Sequence, residues 1–248
     1  MDHFPYKLTG PSGDKATLGL VVLQVDETIE QDFRRLFAEP DVVLHVSRVP
    51  SGTVLTPDTI KQMAVDLPQA ASLLPPSAQF DAIGYACTSG TTLNAVDRIT
   101  QLVSDNSNTR SVSNPLSAAI AAFNTLDICS FGCVSPYISA VATPLECAFA
   151  DAGFSIPATV SFGEKVEANV ARIDSDSIRT AALKIGQTSG IEAVFLSCTN
   201  MKTLDIIDDL EQQLGLPVIS SNQALAWHMS LIASAPLSQG APGVICRK

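Results

Sequence analysis

The sequence predicts an α/β protein of two pseudo-symmetric domains, each with a mainly parallel sheet, and an active site in the cleft between them. Three observations lead there. Short apolar runs alternate with amphipathic stretches, a block of sequence recurs about half a chain later, and each copy of that block carries a cysteine where a strand ends.

Runs rich in Val, Ile and Leu at residues 18–23, 42–46, 82–86, 128–134, 193–196 and 218–219 read as strands, because a strand covered on both faces is apolar throughout. Helical periodicity follows many of them, for example at 28–37, 91–103, 140–152, 204–214 and 224–232. Residues 1–123 and 124–248 are the expected domains, with the C-terminal helix free to pack on the first.

Laying residues 81–97 over 192–208 matches Cys87 with Cys198, Thr88 with Thr199, Thr92 with Thr203 and Leu93 with Leu204, at an offset of 198 − 87 = 111. Ser113-Asn114 echoes Ser221-Asn222, and Asp26 at the exit of the first strand falls opposite Tyr137. Each half therefore repeats one order of parts, and in open α/β sheets ligands collect beyond the carboxyl ends of such strands. Two such faces turned toward each other make one cleft, with one cysteine from each wall.

Composition narrows the function. A chain that is 46% hydrophobic and 16% charged is not disordered. Fifteen Lys and Arg against twenty-five Asp and Glu, a net charge of −10, disfavour nucleic acid and anionic membranes as partners. No apolar run of about eighteen residues or signal-like start occurs, so a cytoplasmic location is expected, where the six cysteines stay thiols. Gly-x-Gly-x-x-Gly and Walker patterns are absent and no cysteine has zinc-ligand spacing, so neither a nucleotide cofactor nor a metal is expected.

Cys87 is followed by Thr88, Ser89, Gly90 and Thr91, a cluster suited to capping a helix, and a thiol at a helix N-terminus is expected to ionise below its ordinary pKa of about 8.5. Cys198, with Thr199, Asn200 and a helix running to Leu214, is expected in the same setting. The neighbouring hydroxyl and amide groups make an anion cradle suited to a substrate carboxylate. The plainer reading, a small buried hydrophobe, is kept for Cys129, Cys133, Cys147 and Cys246. His45 and His228 read as packed histidines, and Asp205, Asp208, Asp209 and Glu211 as a solvated helix face.

Two thiols across a plane support racemisation or epimerisation, one taking a proton and the other giving one to the opposite face. They also support addition of a thiolate to an activated double bond, rotation and elimination. In either case Thr88, Ser89, Thr199 and Asn200 supply donors for the developing charge.

The segments Tyr-Ala-Cys-Thr-Ser-Gly at 85–90, Leu-Ser-Cys-Thr-Asn at 196–200 and Leu-Pro-Val-Ile-Ser-Ser-Asn at 216–222 resemble the aspartate/glutamate racemase superfamily, in its maleate isomerase and arylmalonate decarboxylase branch. The stretches 132–137 and 169–173 are similar to its second-half motifs. The resemblance implies Cys87 and Cys198 as the catalytic pair, Thr88, Ser89 and Tyr137 as carboxylate ligands, Asn169 in the pocket wall, and a homo-oligomer. It points to a cofactor-independent isomerase or racemase for a small carboxylic acid, since the decarboxylase branch has glycine at the first cysteine.

One departure stands out. Leu-Gln-Val-Asp-Glu-Thr at 23–28 puts Asp26 where maleate isomerases resemble an asparagine that holds a carboxylate. An ionised Asp26 repels a second carboxylate, which favours substrates bearing an amine or amide; the other reading of Asp26 is the N-cap of the helix at 28–37. The run at 24–30 resembles the EutA-type proteins of ectoine utilisation. Two alternatives remain: an arylmalonate-type decarboxylase working through Cys198 alone, and a two-lobed small-acid binding protein without turnover.

Overall fold

The computed structural model describes residues 3–10 and 12–248. Its first half contains β1 (Ala16–Leu23), α1 (Ile29–Leu36), β2 (Val42–Val49), α2 (Pro57–Ser72), β3 (Ala82–Ala86), α3 (Thr88–Asn94), α4 (Val96–Ser104), β4 (Val112–Ser113) and α5 (Pro115–Thr125). The second contains β5 (Ser130–Ser135), α6 (Ser139–Asp151), β6 (Ser155–Ser161), α7 (Glu167–Val170), α8 (Ser175–Gly186), β7 (Ala193–Leu196), α9 (Ile207–Leu214), β8 (Val218–Ser220) and α10 (Ser221–Ala233).

The strands form two four-stranded sheets, ordered β2-β1-β3-β4 and β6-β5-β7-β8, and every strand pair within them is parallel. The orders are equivalent under the repeat, β1 with β5 and β3 with β7. In each sheet the chain reverses direction of travel between those two strands, which is where a doubly wound sheet opens a crevice.

The halves exchange a helix each. Phe123 of α5, which follows the first sheet, stacks on Phe131 with centroids 4.4 Å apart and joins Phe149, Phe154 and Phe195 of the second half. In return α10, which follows the second sheet, seats Met229 and Leu225 on the first: a Cβ on Gly84 would lie 2.7 Å from the Met229 sulfur. Each buried aromatic or aliphatic anchor of this kind is worth about 1.5–3 kcal/mol, so the sheets are held with their carboxyl ends facing.

Four expectations need correction. The helix expected at 91–103 is two, α3 and α4, because Ala95 adopts a left-handed φ of 67° that ends the first. The helix expected at 204–214 opens with a 3₁₀ turn, Leu204–Ile206, so Cys198 sits in a loop and not at a helix start. There the side chains of Thr199 and Asn200 bond to other segments of the chain and not to the first turn of a helix. Cys129 falls just before β5, and it and Cys147 are exposed, which leaves Cys133 as the buried member of the four cysteines read as core. The strand expected to end at Ser113-Asn114 is the short β4, whereas β6 is an addition. β6 is a half-exposed edge strand with Ser, Thr and Pro157; its register on β5 shifts between the Ser130 and Gly132 pairs, where that proline lacks an N–H.

His228 is half-buried with Nδ1 2.7 Å from the Ser113 hydroxyl, and His45 lies edge-on to Phe80. The acidic group on α9 and its approach pairs with arginines: Asp205 with Arg35, Asp209 with Arg179, and Asp208 and Glu211 with Arg247. Among the described residues no acidic, His or Cys cluster could hold a metal ion, and no helix is long and apolar enough to cross a membrane.

Candidate active site

Strand β3 delivers Cys87 to the N-cap of α3, where its own sulfur accepts the Gly90 N–H at 3.1 Å and lies 3.6 Å from the Ser89 hydroxyl. The cap is thus the cysteine itself, not one of the hydroxyl residues after it. Glycine at position 90 is required by this packing: a Cβ there would lie 2.5 Å from the Tyr85 hydroxyl and 2.8 Å from the Cys87 sulfur. Strand β7 delivers Cys198 to the facing turn, its sulfur 3.4 Å from the Asn200 N–H.

Hydrogen bonds tie the two turns together. Thr199 Oγ1 donates to the carbonyl of Ala86 at 3.3 Å, joining the residue after one cysteine to the residue before the other. The Ser221 hydroxyl accepts the Cys198 N–H at 3.2 Å and lies 3.0 Å from the Thr88 hydroxyl. Asn200 Oδ1 accepts the Glu27 N–H at 2.9 Å, and its Nδ2 donates to the Glu167 carbonyl and to Glu167 Oε2 at 3.1 and 3.0 Å. The amide of Asn200 is therefore committed to holding the walls together. A further crossing pairs residues 53–55 with 165–167, through Leu55 N–H to Lys165 at 2.7 Å and Glu167 N–H to Thr53 at 3.0 Å.

The cleft is closed and acidic. Cys87 is 2% exposed and Cys198 6%. Burial pushes the Cys87 thiol up to about 12, against the Ser89 and Gly90 donors that favour the thiolate. Burial also pushes Cys198 well up, helped by the Glu167 carboxylate. The low-pKa thiols expected from helix starts are therefore not found in this closed form. Desolvation outweighs one backbone N–H at Cys87, and Cys198 has no helix behind it.

Asp26 is 4% exposed. Its Oδ1 accepts the N–H groups of Thr28 and Ile29 at 2.8 and 2.9 Å, which starts α1, while Oδ2 is buried without a hydrogen-bond partner, on the side of Thr199. Burial raises both Asp26 and Glu167 above the usual carboxylate range. Tyr137, buried, places its hydroxyl near Cys198 and Ser197 and has its own ionisation pushed up by burial.

Cys87, Thr88, Ser89, Cys198, Thr199, Asn200, Tyr137 and Asp26 thus come together. Asn169 does not: it is exposed on α7 and donates to Glu164 Oε2 at 3.1 Å. Two residues before it, Glu167 takes the inward place, since its carboxylate is drawn in by Asn200. Glu167 has no counterpart in the internal repeat. Tyr85, whose buried hydroxyl has no oxygen or nitrogen partner, lies beside Cys87 and could have been found from the 85–90 motif, where it is the first residue.

A two-sheet scaffold that brings one cysteine from each half to a shared cleft defines a class of two-lobed α/β proteins with paired thiols. The chain belongs to the arylmalonate decarboxylase family, whose model matches residues 98–245. Among solved structures it is similar to the maleate isomerase of Pseudomonas putida (TM-score 0.84, 20% identity, 93% of this chain and 98% of that one). It is similar as well to a mutant of the Nocardia farcinica maleate cis-trans isomerase with a covalently bound succinylcysteine intermediate (0.85, 21%, 94% and 98%). A liganded double mutant of arylmalonate decarboxylase gives 0.82, 21%, 93% and 98%. No curated protein matches the sequence.

Proposed function

We propose that the chain is an isomerase or racemase that acts on a small carboxylic acid through Cys87 and Cys198, without a cofactor. The observation that supports this is the pair of cysteine turns bonded across the cleft through Thr199 and Ala86 and through Ser221 and Thr88. One sulfur, as thiolate, takes the α-hydrogen as a proton from one face. The electron pair delocalises onto the carboxylate, and the other thiol gives its proton to the opposite face, so the thiol and thiolate exchange roles. With an unsaturated acid, the thiolate instead forms a C–S bond at one alkene carbon while the electron pair moves to its neighbour. Rotation about the single bond and loss of sulfur give the other geometric isomer. The hydroxyls of Thr88 and Ser89 face the carboxylate as it gains charge. A cytoplasmic homo-oligomer belongs to the same reading.

Incubation of candidate acids in D₂O, followed by NMR of the α-hydrogen and of the alkene signals, tests this. Wild type exchanges or isomerises its acid, and Cys87→Ala and Cys198→Ala each lose at least about a hundredfold in rate. Family membership favours one second reading, a decarboxylase using Cys198 alone. It predicts CO₂ release from a malonate-type acid that survives Cys87→Ala. Binding without turnover in any form would instead mark a small-acid binding protein.

A further inference from the structure

We propose that Asp26 and Glu167 form a seat for a protonated amine, so that the substrate is a small carboxylic acid carrying an ammonium group and not a dicarboxylate. The inference rests on the two-thiol reading for the chemistry at carbon, but not for the binding. Asp26 keeps one oxygen for the start of α1 and turns the other, Oδ2, buried and without a donor, to the side of Thr199. Glu167, 3% exposed, is held against the cleft by Asn200 Nδ2 and by the crossing strand segment at Val54 and Val166. Asn200 brings the two carboxyl groups together, since its Oδ1 accepts the N–H of Glu27, the residue after Asp26, at 2.9 Å while its Nδ2 donates to Glu167 Oε2 at 3.0 Å.

Among the described residues neither carboxyl forms a salt bridge. The guanidinium of Arg48, the cation acting on Asp26, is spent on the carbonyls of Leu23, Gln24 and Asp26 and on the Glu30 carboxylate. Arg172 pairs outside with Glu27. Two buried carboxyl groups with one oxygen, Asp26 Oδ2, left without a donor are costly to ionise together unless a cation joins them. An ammonium group brings three donors and a positive charge, which matches Asp26 Oδ2, Glu167 and the Thr199 hydroxyl. A second carboxylate in the same place meets two like charges.

The seat has a consequence for the thiols. Asp26 and Glu167 help to keep both cysteines protonated in the empty cleft. A bound ammonium cancels that field and favours release of a proton from one thiol, whereas a dicarboxylate strengthens it. Selection of substrate and activation of the nucleophile are then one event.

Calorimetry on the full-length protein at about pH 7.5 with pairs of acids matched in chain length tests the seat. The pairs are glycine and malonate, β-alanine and succinate, 4-aminobutyrate and glutarate. At least one amino acid is expected to bind about tenfold or more tighter than its dicarboxylate, and Glu167→Gln or Asp26→Asn to erase that preference. Glu167→Gln carries the test if loss of the α1 start prevents Asp26→Asn from folding. Equal binding, preference for the dicarboxylate, a preference that both folded variants retain, or no binding in any pair overturns the proposal. Exchange in D₂O separates the two readings. Selective amine binding without α-hydrogen exchange keeps the seat and sinks the thiol chemistry. Cysteine-dependent exchange of succinate, with no exchange of β-alanine, keeps the thiol chemistry and sinks the seat.

Discussion

Thr199 donates its hydroxyl to the carbonyl of Ala86 across the cleft, so the turn that follows one cysteine is fastened to the strand end that precedes the other. This bond, with its neighbour between Ser221 and Thr88, makes the spacing of the two sulfurs a property of the fold and not of a bound ligand.

Thr199→Val keeps the shape and removes the hydroxyl. It is expected to cost about 1 kcal/mol of stability in urea unfolding and to lower kcat about tenfold or more, because small displacements of positioned groups are expensive in rate. Loss of stability with unchanged kcat would show that the tie is structural only.

The burial of Cys87 and Cys198 predicts unreactive thiols at both positions in the empty protein. Burial pushes the Cys87 thiol up to about 12 and Cys198 well up, so neither is expected to react as a thiolate at about pH 8. Iodoacetamide is expected to label the exposed Cys129 and Cys147 first, with Cys87 and Cys198 unlabelled on that timescale by peptide mass spectrometry. Early labelling of Cys198 would show that the cleft opens freely in solution.

Gly90→Ala tests the packing around Cys87. Alanine favours a helix by about 1 kcal/mol, but here its methyl group would meet the Tyr85 hydroxyl and the Cys87 sulfur inside contact distance. The variant is expected to melt lower and to lose most activity, while a gain in melting temperature would contradict the geometry.

Asp32 gives a pH dependence. Its carboxyl accepts Asn222 Nδ2 at 2.8 Å, and Asn222 also donates to the Thr199 carbonyl; burial raises Asp32 to about 6 from the ordinary 3.8. A raised carboxylate stabilises the folded state fully below the unfolded value and loses that contribution as pH rises through about 6. The difference is on the order of 3 kcal/mol at most. Unfolding free energy is therefore expected to fall between about pH 4 and pH 6 in wild type, and to fall less in Asp32→Asn. Parallel profiles for the two proteins would remove Asp32 from the account.

Much of this was legible in the sequence because the repeat marks it. Matching Cys87 with Cys198 and Asp26 with Tyr137 located both walls, and β3 and β7 lie where their apolar runs predict. What escaped follows from long-range contacts. Glu167 is inward only because Asn200 and the Thr53 carbonyl hold it there, and Asn169 is outward for the same reason. The raised thiols depend on burial in the folded chain, which no local motif records. Strand β6 alternates polar and apolar residues, but Pro157 within it reads as a break in a strand.

A crystal structure of the protein with a bound amine-bearing acid shows whether sulfurs from opposite walls reach one bound carbon. The expected result is Cys87 and Cys198 on opposite faces of a single carbon, each within about 4 Å of it. Both sulfurs on one face, or either one out of reach of the ligand, would contradict it.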